Sequence, residues 1–434
     1  MTRFPIAMAV AALLGFPVSG HAQAVDSLRL DRLIEEALHA DPRQRLLALH
    51  TSESALKDRN LKSGYLPSLS ATGQAQHQSD AFTFPFTLPG GLKAPEARKT
   101  SYDASLHIEQ AIYDASIGLK RAVEQAGVAA SQAEVVASLY GIRQQVEAAF
   151  FTVAMAEQRD IELQTTIAGL SARLSEAASR FRAGTALPGD TAMIAATILL
   201  RRQDILQVNA DRRAALARLA VLLGRPVNDS AAVALPDLAA AARAAAATAD
   251  TTTARPEFAR FAALREQLSR QAAAEGAVLR PRLSLFGRLG YGLPGLDPLN
   301  TSFKGYWVIG AQVSWAPFDW GNTGRRREAF ELEREMVAVN QAAFARDLRA
   351  SMQQDLATLE RLTATLALDE QIVALREKTE HEAQVRLAEG AVTASEYVDR
   401  NTELLSARLD RAQHRVELAR SQSDLITLLG AEAR

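Results

Sequence analysis

The feature that most constrains this chain is an internal duplication. Arg180 to Asp190 reads RFRAGTALPGD, and Arg386 to Asp399 reads RLAEGAVTASEYVD. Gly390 follows Gly184 by 206 residues, and the same offset relates Arg386 to Arg180, Glu396 to Asp190 and Gly430 to Gly224. The last pair closes the matching runs LAVLLG and LITLLG. Several landmarks at one spacing imply two copies of one supersecondary unit, each needing neighbours to bury its apolar face. Each copy reads as a long helix, a tight turn and a returning helix.

The outgoing helices are predicted over 117–182 and 322–388, which contain no proline. At ~1.5 Å per residue each would be ~100 Å long. Leu119, Val123, Ala126, Ala130, Ala133, Ala137 and Tyr140 step by fours and threes, as in a coiled-coil seam. Leu332, Met336, Val339 and Ala343 do the same. The return helices, predicted near 188–223 and 393–429, are only ~55 Å long. An earlier helix, predicted over Leu30–Lys62 with Leu33, Ala37, Leu46, Leu49 and Leu56 on one face, could stack on a return helix to make up the difference. The chain is 48% hydrophobic but only 6% aromatic, with much Ala, which suits close-packed long helices.

Between these helices the period changes from 3.6 to 2. Leu69, Ala71, Gly73 and Ala75 alternate with Ser70, Thr72, Gln74 and Gln76, and Tyr102, Ala104, Leu106 and Ile108 alternate with Asp103, Ser105, His107 and Glu109. In the second half, Leu283, Leu285, Leu289 and Tyr291 oppose Arg282, Ser284, Arg288 and Gly290. Trp307, Ile309, Ala311, Val313 and Trp315 oppose Val308, Gly310, Gln312 and Ser314. Strands of about ten residues with one apolar face suit a tilted membrane-spanning sheet. Tyr65, Tyr102, Trp307 and Trp315 are the expected membrane-interface aromatics near the strand ends.

The N-terminus has Arg3, an apolar run from Ile6 to Leu14 and small-residue endings at Ala22 and Ala24, the pattern of a cleaved secretory signal. No other segment reads as a transmembrane helix, so a membrane crossing would use strands. The sequence has no cysteine, which excludes disulfides and thiolate metal sites. With 49 basic and 50 acidic residues, no global field points to nucleic acid. Catalytic signals are weak: the seven histidines are scattered without HExxH spacing. Gly290 to Gly295 fits GxGxxG, but Asp297-Pro298 follows where a helix should begin. No enzyme activity, cofactor or metal is expected.

With these residues in hand, the chain resembles the TolC-like outer-membrane efflux proteins. The carriers are the PSLS and PRLS strand starts at Pro67 and Pro281, the YD and FDWG junctions at Asp114 and Asp319–Gly321, the duplicated RxxxG turns, and the helix ends at Gly224 and Gly430. The resemblance implies a mainly α fold: duplicated coiled-coil helical hairpins form a trimeric periplasmic α-barrel, joined to a transmembrane β-barrel with four strands per protomer. The implied localisation is the outer membrane, extending into the periplasm. On that frame the chain divides into a signal peptide (1–22), a first periplasmic helix (23–63), β-hairpin 1 (64–113), helical hairpin 1 (114–224), an equatorial insertion or linker (225–255), a helix (256–280), β-hairpin 2 (281–318), helical hairpin 2 (319–430) and a tail (431–434). The insertion is Ala/Thr-rich and aperiodic, so a flexible or peripheral segment is expected.

The implied function is a passive exit duct in outer-membrane lipid, a homotrimer working with a periplasmic adaptor (membrane fusion protein) and an inner-membrane pump or ABC transporter. A non-conducting periplasmic coiled-coil scaffold or adaptor is the alternative, against which the alternating strands weigh. Carried over by position, Asp190, Glu396 and Asp399 would line the periplasmic entrance, where a ring of acids would favour cations. Arg180, Gly184, Arg386 and Gly390 would form the adaptor-docking tip. Competing local explanations exist: Thr393 to Glu396 has capping-box spacing, Asp190 sits in a first helical turn, and glycine is the common left-handed helix cap. Leu387 and Val392 stand where well-known relatives carry the Tyr and Arg that tie the closed tip, so closure here would need other links, through Arg180 or Arg386.

Overall fold

A computed structural model describes residues 27–81, 98–184, 187–247, 254–297 and 301–431. The expected signal peptide, the loop after the first strand, the end of the insertion and most of the tail lie outside the described residues. Four helices dominate: α3 (Ala115–Arg182) and α4 (Pro188–Leu223) form one antiparallel hairpin, and α7 (Asn322–Ala388) with α8 (Ala394–Leu428) forms the other. With 68 and 67 residues, α3 and α7 are each ~100 Å long.

Both long helices start on an acidic cap just after a strand. The Asp114 carboxylate accepts from the Ser116 N–H at 2.8 Å, and Asp319 accepts from the Gly321 and Thr323 N–H groups at 3.1 and 2.7 Å. Partial burial works against ionisation of Asp114, but the Ser116 hydrogen bonds and nearby Arg282 hold its carboxyl below the usual range. The Thr323 contacts do the same for Asp319. Each aspartate satisfies orphan N–H groups of a first turn and lies at its positive end.

Where the sequence pattern gives one helix over Leu30–Lys62, the structure has two, α1 (Leu30–Ala40) and α2 (Gln44–Ser63). Pro42 is the cause, because its ring disfavours helical geometry at the preceding residue, and Asp41 is extended with ψ 125°. The break also splits the expected apolar face: Leu33 and Ala37 are buried on α1, whereas Leu46, Leu49 and Leu56 on α2 are exposed.

This break lets the short helices complete the long ones. The left-handed Gly224 that ends α4 sits against Ala40, beside the gap before α2. Gly430, past the end of α8, lies against the Ala254–Arg255 backbone, which leads into α6 (Pro256–Glu275). A Cβ on Gly430 would come within 3.0 Å of that backbone. Thus the end of α4 lies at the break between α1 and α2, and the end of α8 lies at the segment leading into α6, while α2 packs on α3, and α6 on both α3 and α7. The main core lies at these junctions, around Val146, Phe150, Leu219 and Leu33.

The described part of the insertion is more ordered than its composition suggests. It pairs with the N-terminal segment through a parallel Leu28–Val233 bridge and then forms α5 (Ala239–Ala247). Leu238, Ala242 and Ala245 are buried against Leu425, Ile426 and Leu429 of the α8 end. Alanine gives no large-residue periodicity to read, yet it permits close helix contact. The second expected seam also differs. On α7 it is Val337, with Phe330 and Phe344, that packs on α6, leaving Leu332, Met336 and Val339 exposed.

The strands β1 (Ser68–His77), β2 (Thr100–Tyr113), β3 (Arg282–Leu293) and β4 (Lys304–Ser314) make one antiparallel sheet in chain order. Ala71, Leu106, Leu289 and Trp307 are register partners across all four, as are Leu69, Ile108, Gly287 and Ile309. The alternation of each strand is therefore in phase with its neighbours, and one face of the sheet is continuously apolar. Leu69, Leu289, Trp307, Ile309 and Val313 on it are at least 61% exposed, so nothing in the protomer covers that face. The opposite face carries an Asp103–Arg288 ion pair at 2.6 Å, with Ser105 and Tyr306 joined to it. The outer edges of β1 and β4 are unpaired within this sheet.

Candidate functional site

The two duplicated turns lie side by side at the end of the hairpins remote from the sheet. Gly184 (φ 74°) and Gly390 (φ 75°) take the left-handed conformation that stops α3 and α7, which a side chain would strain. Their N–H groups bond back to Phe181 and Leu387 at 3.0 and 3.2 Å, and the Ala391 N–H bonds to Arg386 O at 2.8 Å. These contacts satisfy carbonyls that a helix end otherwise leaves open.

Beneath the turns, both hairpins share one small core. Leu170 and Ala177 of α3, Ile194 and Ile198 of α4, Ala383 of α7, and Ala394, Tyr397 and Val398 of α8 pack together. Tyr397 is 2% exposed. Burial pushes its hydroxyl well above the usual phenol range, and Glu380 beside it adds to the effect. Sequence reasoning passed over this residue although it lies inside the duplicated stretch. Its signal is position: one helical turn beyond the Thr393 cap, it points back toward the tip.

Arg180 links the two turns. Its guanidinium donates to Leu387 O at 2.7 Å and Ala388 O at 2.5 Å, the last carbonyls of α7, and also pairs with Glu176 at 3.0 Å. Arg173 holds Glu176 in turn at 2.7 Å. A cation at a helix C-terminus is favoured by the helix dipole as well as by the hydrogen bonds. Arg386, its counterpart by duplication, is exposed on the outside of α7. The duplicated arginines therefore do different jobs: Arg180 ties the hairpins, and Arg386 is left to solvent or to a partner.

The three acids also separate. The Asp190 carboxylate accepts from the Leu187 N–H at 3.3 Å, which is first-turn capping, although the residue also borders the groove between the tips. At Glu396 it is the backbone N–H that bonds the Thr393 hydroxyl, at 3.3 Å, leaving the carboxylate exposed. Asp399 is exposed one turn further along α8. The groove itself measures about 510 Å³ and is bordered by Arg180, Gly184, Gly390, Ala391 and Val392 among others. Ala394, between the groove and the tip core, is 1% exposed because it fills that core.

At the sheet end, Tyr65 lies just before β1 and Trp315 just after β4, where its indole N–H donates to Leu279 O at 3.1 Å. Tyr102 lies near the other end of β2, close to Phe303. Trp307, expected near a strand end, is inside β4 and pairs with Leu289. The sequence reading missed two further aromatic groups. Tyr291, near the end of β3, stacks on Phe303 at the far end of the sheet, and Phe318 packs edge-on against Trp320 at the helix end. Trp320 is 82% exposed and has a positive φ of 58°.

Residues 236–431 match the family model described as outer membrane efflux protein. The second half of the chain is thus similar to the outer-membrane efflux proteins. No curated protein sequence matches it. Solved structures extend the likeness across the first half of the duplication. The outer membrane protein VceC of Vibrio cholerae aligns with a TM-score of 0.67 at 16% identity, over 93% of this chain and 97% of that one. The open state of the MtrE outer membrane channel of Neisseria gonorrhoeae aligns with a TM-score of 0.65 at 17% identity, over 99% and 98%. CusC, described in connection with transmembrane channel formation, gives 0.68 at 17% identity over 94% and 93%. At such identities the structural likeness establishes the fold.

Proposed function

We propose that the protein is a passive outer-membrane exit duct, assembled as a homotrimer and serving a tripartite efflux pump or a type I secretion system. The observation that carries this reading is the sheet: an apolar, uncovered face across four strands, with two open edges, mounted on helical hairpins ~100 Å long. Four strands cannot close a barrel, and unpaired edges are not tolerated in lipid, so copies of the chain must supply the missing partners. Among the described residues no helix is long and apolar enough to cross a membrane, which leaves the crossing to this sheet. Exposed apolar ridges support assembly along the helices as well: Leu332, Met336 and Val339, and further along α7 Leu368, Ile372 and Leu375.

In this assembly the polar face, with Asp103 and Arg288, lines a water-filled lumen, and the two aromatic clusters sit at the membrane interfaces. Six tip turns surround the far opening. Glu396 and Asp399 line the entrance, and the groove beside Gly184 and Gly390 receives the periplasmic adaptor. Energy comes from the inner-membrane partner. The test is purification in detergent, native mass spectrometry and reconstitution into planar bilayers. Trimers that conduct are expected; a monomer that stays soluble without detergent and never conducts refutes the proposal.

A further inference from the structure

Beside the main core, α1, α3, α8 and residues 234–238 border a half-open cavity of about 770 Å³, within the range of small-molecule sites. The apolar part of its lining is built from Leu30, Ile34, Leu38, Leu235, Leu238 and Ile426. Its charged lining is predominantly acidic, with Glu147, Asp31, Glu35 and Asp237 against Arg29 and Arg143. Arg29 is already paired with Asp31 at 3.0 Å, and Arg143 lies 5.5 Å from the centre of the Tyr140 ring.

Glu147 stands out in this lining because it is 2% exposed. One carboxylate oxygen, Oε1, accepts from Ser423 Oγ at 2.9 Å and from Thr427 Oγ1 at 2.7 Å, and both residues border the cavity with it. The other, Oε2, is buried with no hydrogen-bond partner. Neither protonation state completes it: Oε1 can accept from or donate to the two hydroxyls, but Oε2 is left without a partner in both. Buried polar atoms in folded proteins are nearly always paired, so an orphan beside a cavity points to a missing group.

We propose that this cavity binds a small amphiphilic organic cation, a primary ammonium on an apolar body, with the ammonium donating to the Glu147 carboxylate. The apolar part of the lining takes the body, and the acidic excess disfavours an anion. The charged groups that share the cavity lining or act on Glu147 are Arg143 on its own helix, Asp424 on α8, Arg29 just before α1, Asp31 and Glu35 on α1, and Asp237 on the insertion. Burial raises the Glu147 carboxyl to about 7, so near neutral pH an arriving cation displaces a proton. The site lies in the helical body, and binding is read without transport, so its outcome is separate from whether the protein conducts.

The test uses the full assembled protein in detergent with benzylammonium as probe and benzyl alcohol as the neutral counterpart. Isothermal titration calorimetry near pH 7 in buffers of different ionisation enthalpy is expected to show saturable benzylammonium binding with proton release. Benzyl alcohol and the Glu147→Gln variant are expected to bind the corresponding probe at least about tenfold more weakly, the loss of one charge-assisted hydrogen bond. Glu147→Gln keeps an oxygen for Ser423 and Thr427. Leu235→Trp, which fills the cavity from its rim, is a second variant expected to abolish binding. Absence of saturable benzylammonium binding, equal binding of the alcohol, or indifference to both variants overturns the proposal.

Discussion

Replacing Arg180 with alanine tests whether the tie between the two tips resists opening. The side chain donates to the last two carbonyls of α7 at 2.7 and 2.5 Å, across the boundary between the hairpins. Hydrogen bonds from a charged group are worth about 1.5–3 kcal/mol each when well shielded. The Arg180 side chain is 31% exposed, so solvent screening reduces the pair to about 1–2 kcal/mol per protomer. That amounts to a factor of about 5–30 in the balance between tied and parted tips in each protomer. In the proposed trimer the contributions of three ties act on one opening. Arg180→Ala should therefore raise single-channel conductance or open probability in planar bilayers. Arg180→Lys, which can replace only part of the fork, should be intermediate. Thermal stability should change little, because the tip core beneath Arg180 is built from other residues. Conductance and tip protease sensitivity both unchanged from wild type would refute the idea that this tie holds the opening.

Glu396→Ala combined with Asp399→Ala should weaken block of the channel by divalent cations applied from the tip side; an unaltered blocking concentration would return both residues to ordinary surface chemistry. Tyr397→Ala removes a fully buried aromatic from the core shared by the hairpins and should cost about 3–5 kcal/mol locally, read as faster amide exchange in α8 near the tip with the sheet end unaffected. The Glu147 carboxyl is raised to about 7 from 4.5, so the folded state binds an extra proton between those values and stability falls as pH rises through that window. The full loss is about 3 kcal/mol, and Glu147→Gln should flatten this part of the melting-temperature profile. A parallel pH slope in the variant would show that another group is responsible. Gly430→Ala must place a Cβ at positive φ and 3.0 Å from the Ala254–Arg255 backbone, and it should lower stability by about 1–3 kcal/mol in a thermal melt.

The sequence by itself determined the frame. Two copies of a turn at one spacing, the absence of proline across two long stretches, and a change of period from 3.6 to 2 are local signals, and the long helices and the four strands lie where those signals put them. The acidic starts at Asp114 and Asp319 and the left-handed stops at Gly184 and Gly390 are likewise local, because each acts within one turn of its own position. The break at Pro42 was equally written there, but the apolar spacing on both sides concealed it.

Only the tertiary structure decided which equivalent residues do equivalent work. Arg180 and Arg386 match by duplication, yet the far hairpin supplies helix-end carbonyls to one and solvent to the other. Leu332 and Val337 look alike in sequence, and it is the position of α6 that buries the second and leaves the first exposed. The insertion could not be read because alanine has no period of its own; its described part is ordered by what α8 offers it. Glu147 gave no sign at all, since a glutamate in a long helix is ordinarily a solvated charge. Its environment comes from Ser423 and Thr427, more than 270 positions away, and from a cavity that exists only once α1, α3 and α8 have met. Periodicity fixes what a segment becomes, because it acts through the backbone of that segment. Burial, pairing and charge state depend on which distant segments arrive, and those the fold alone supplies.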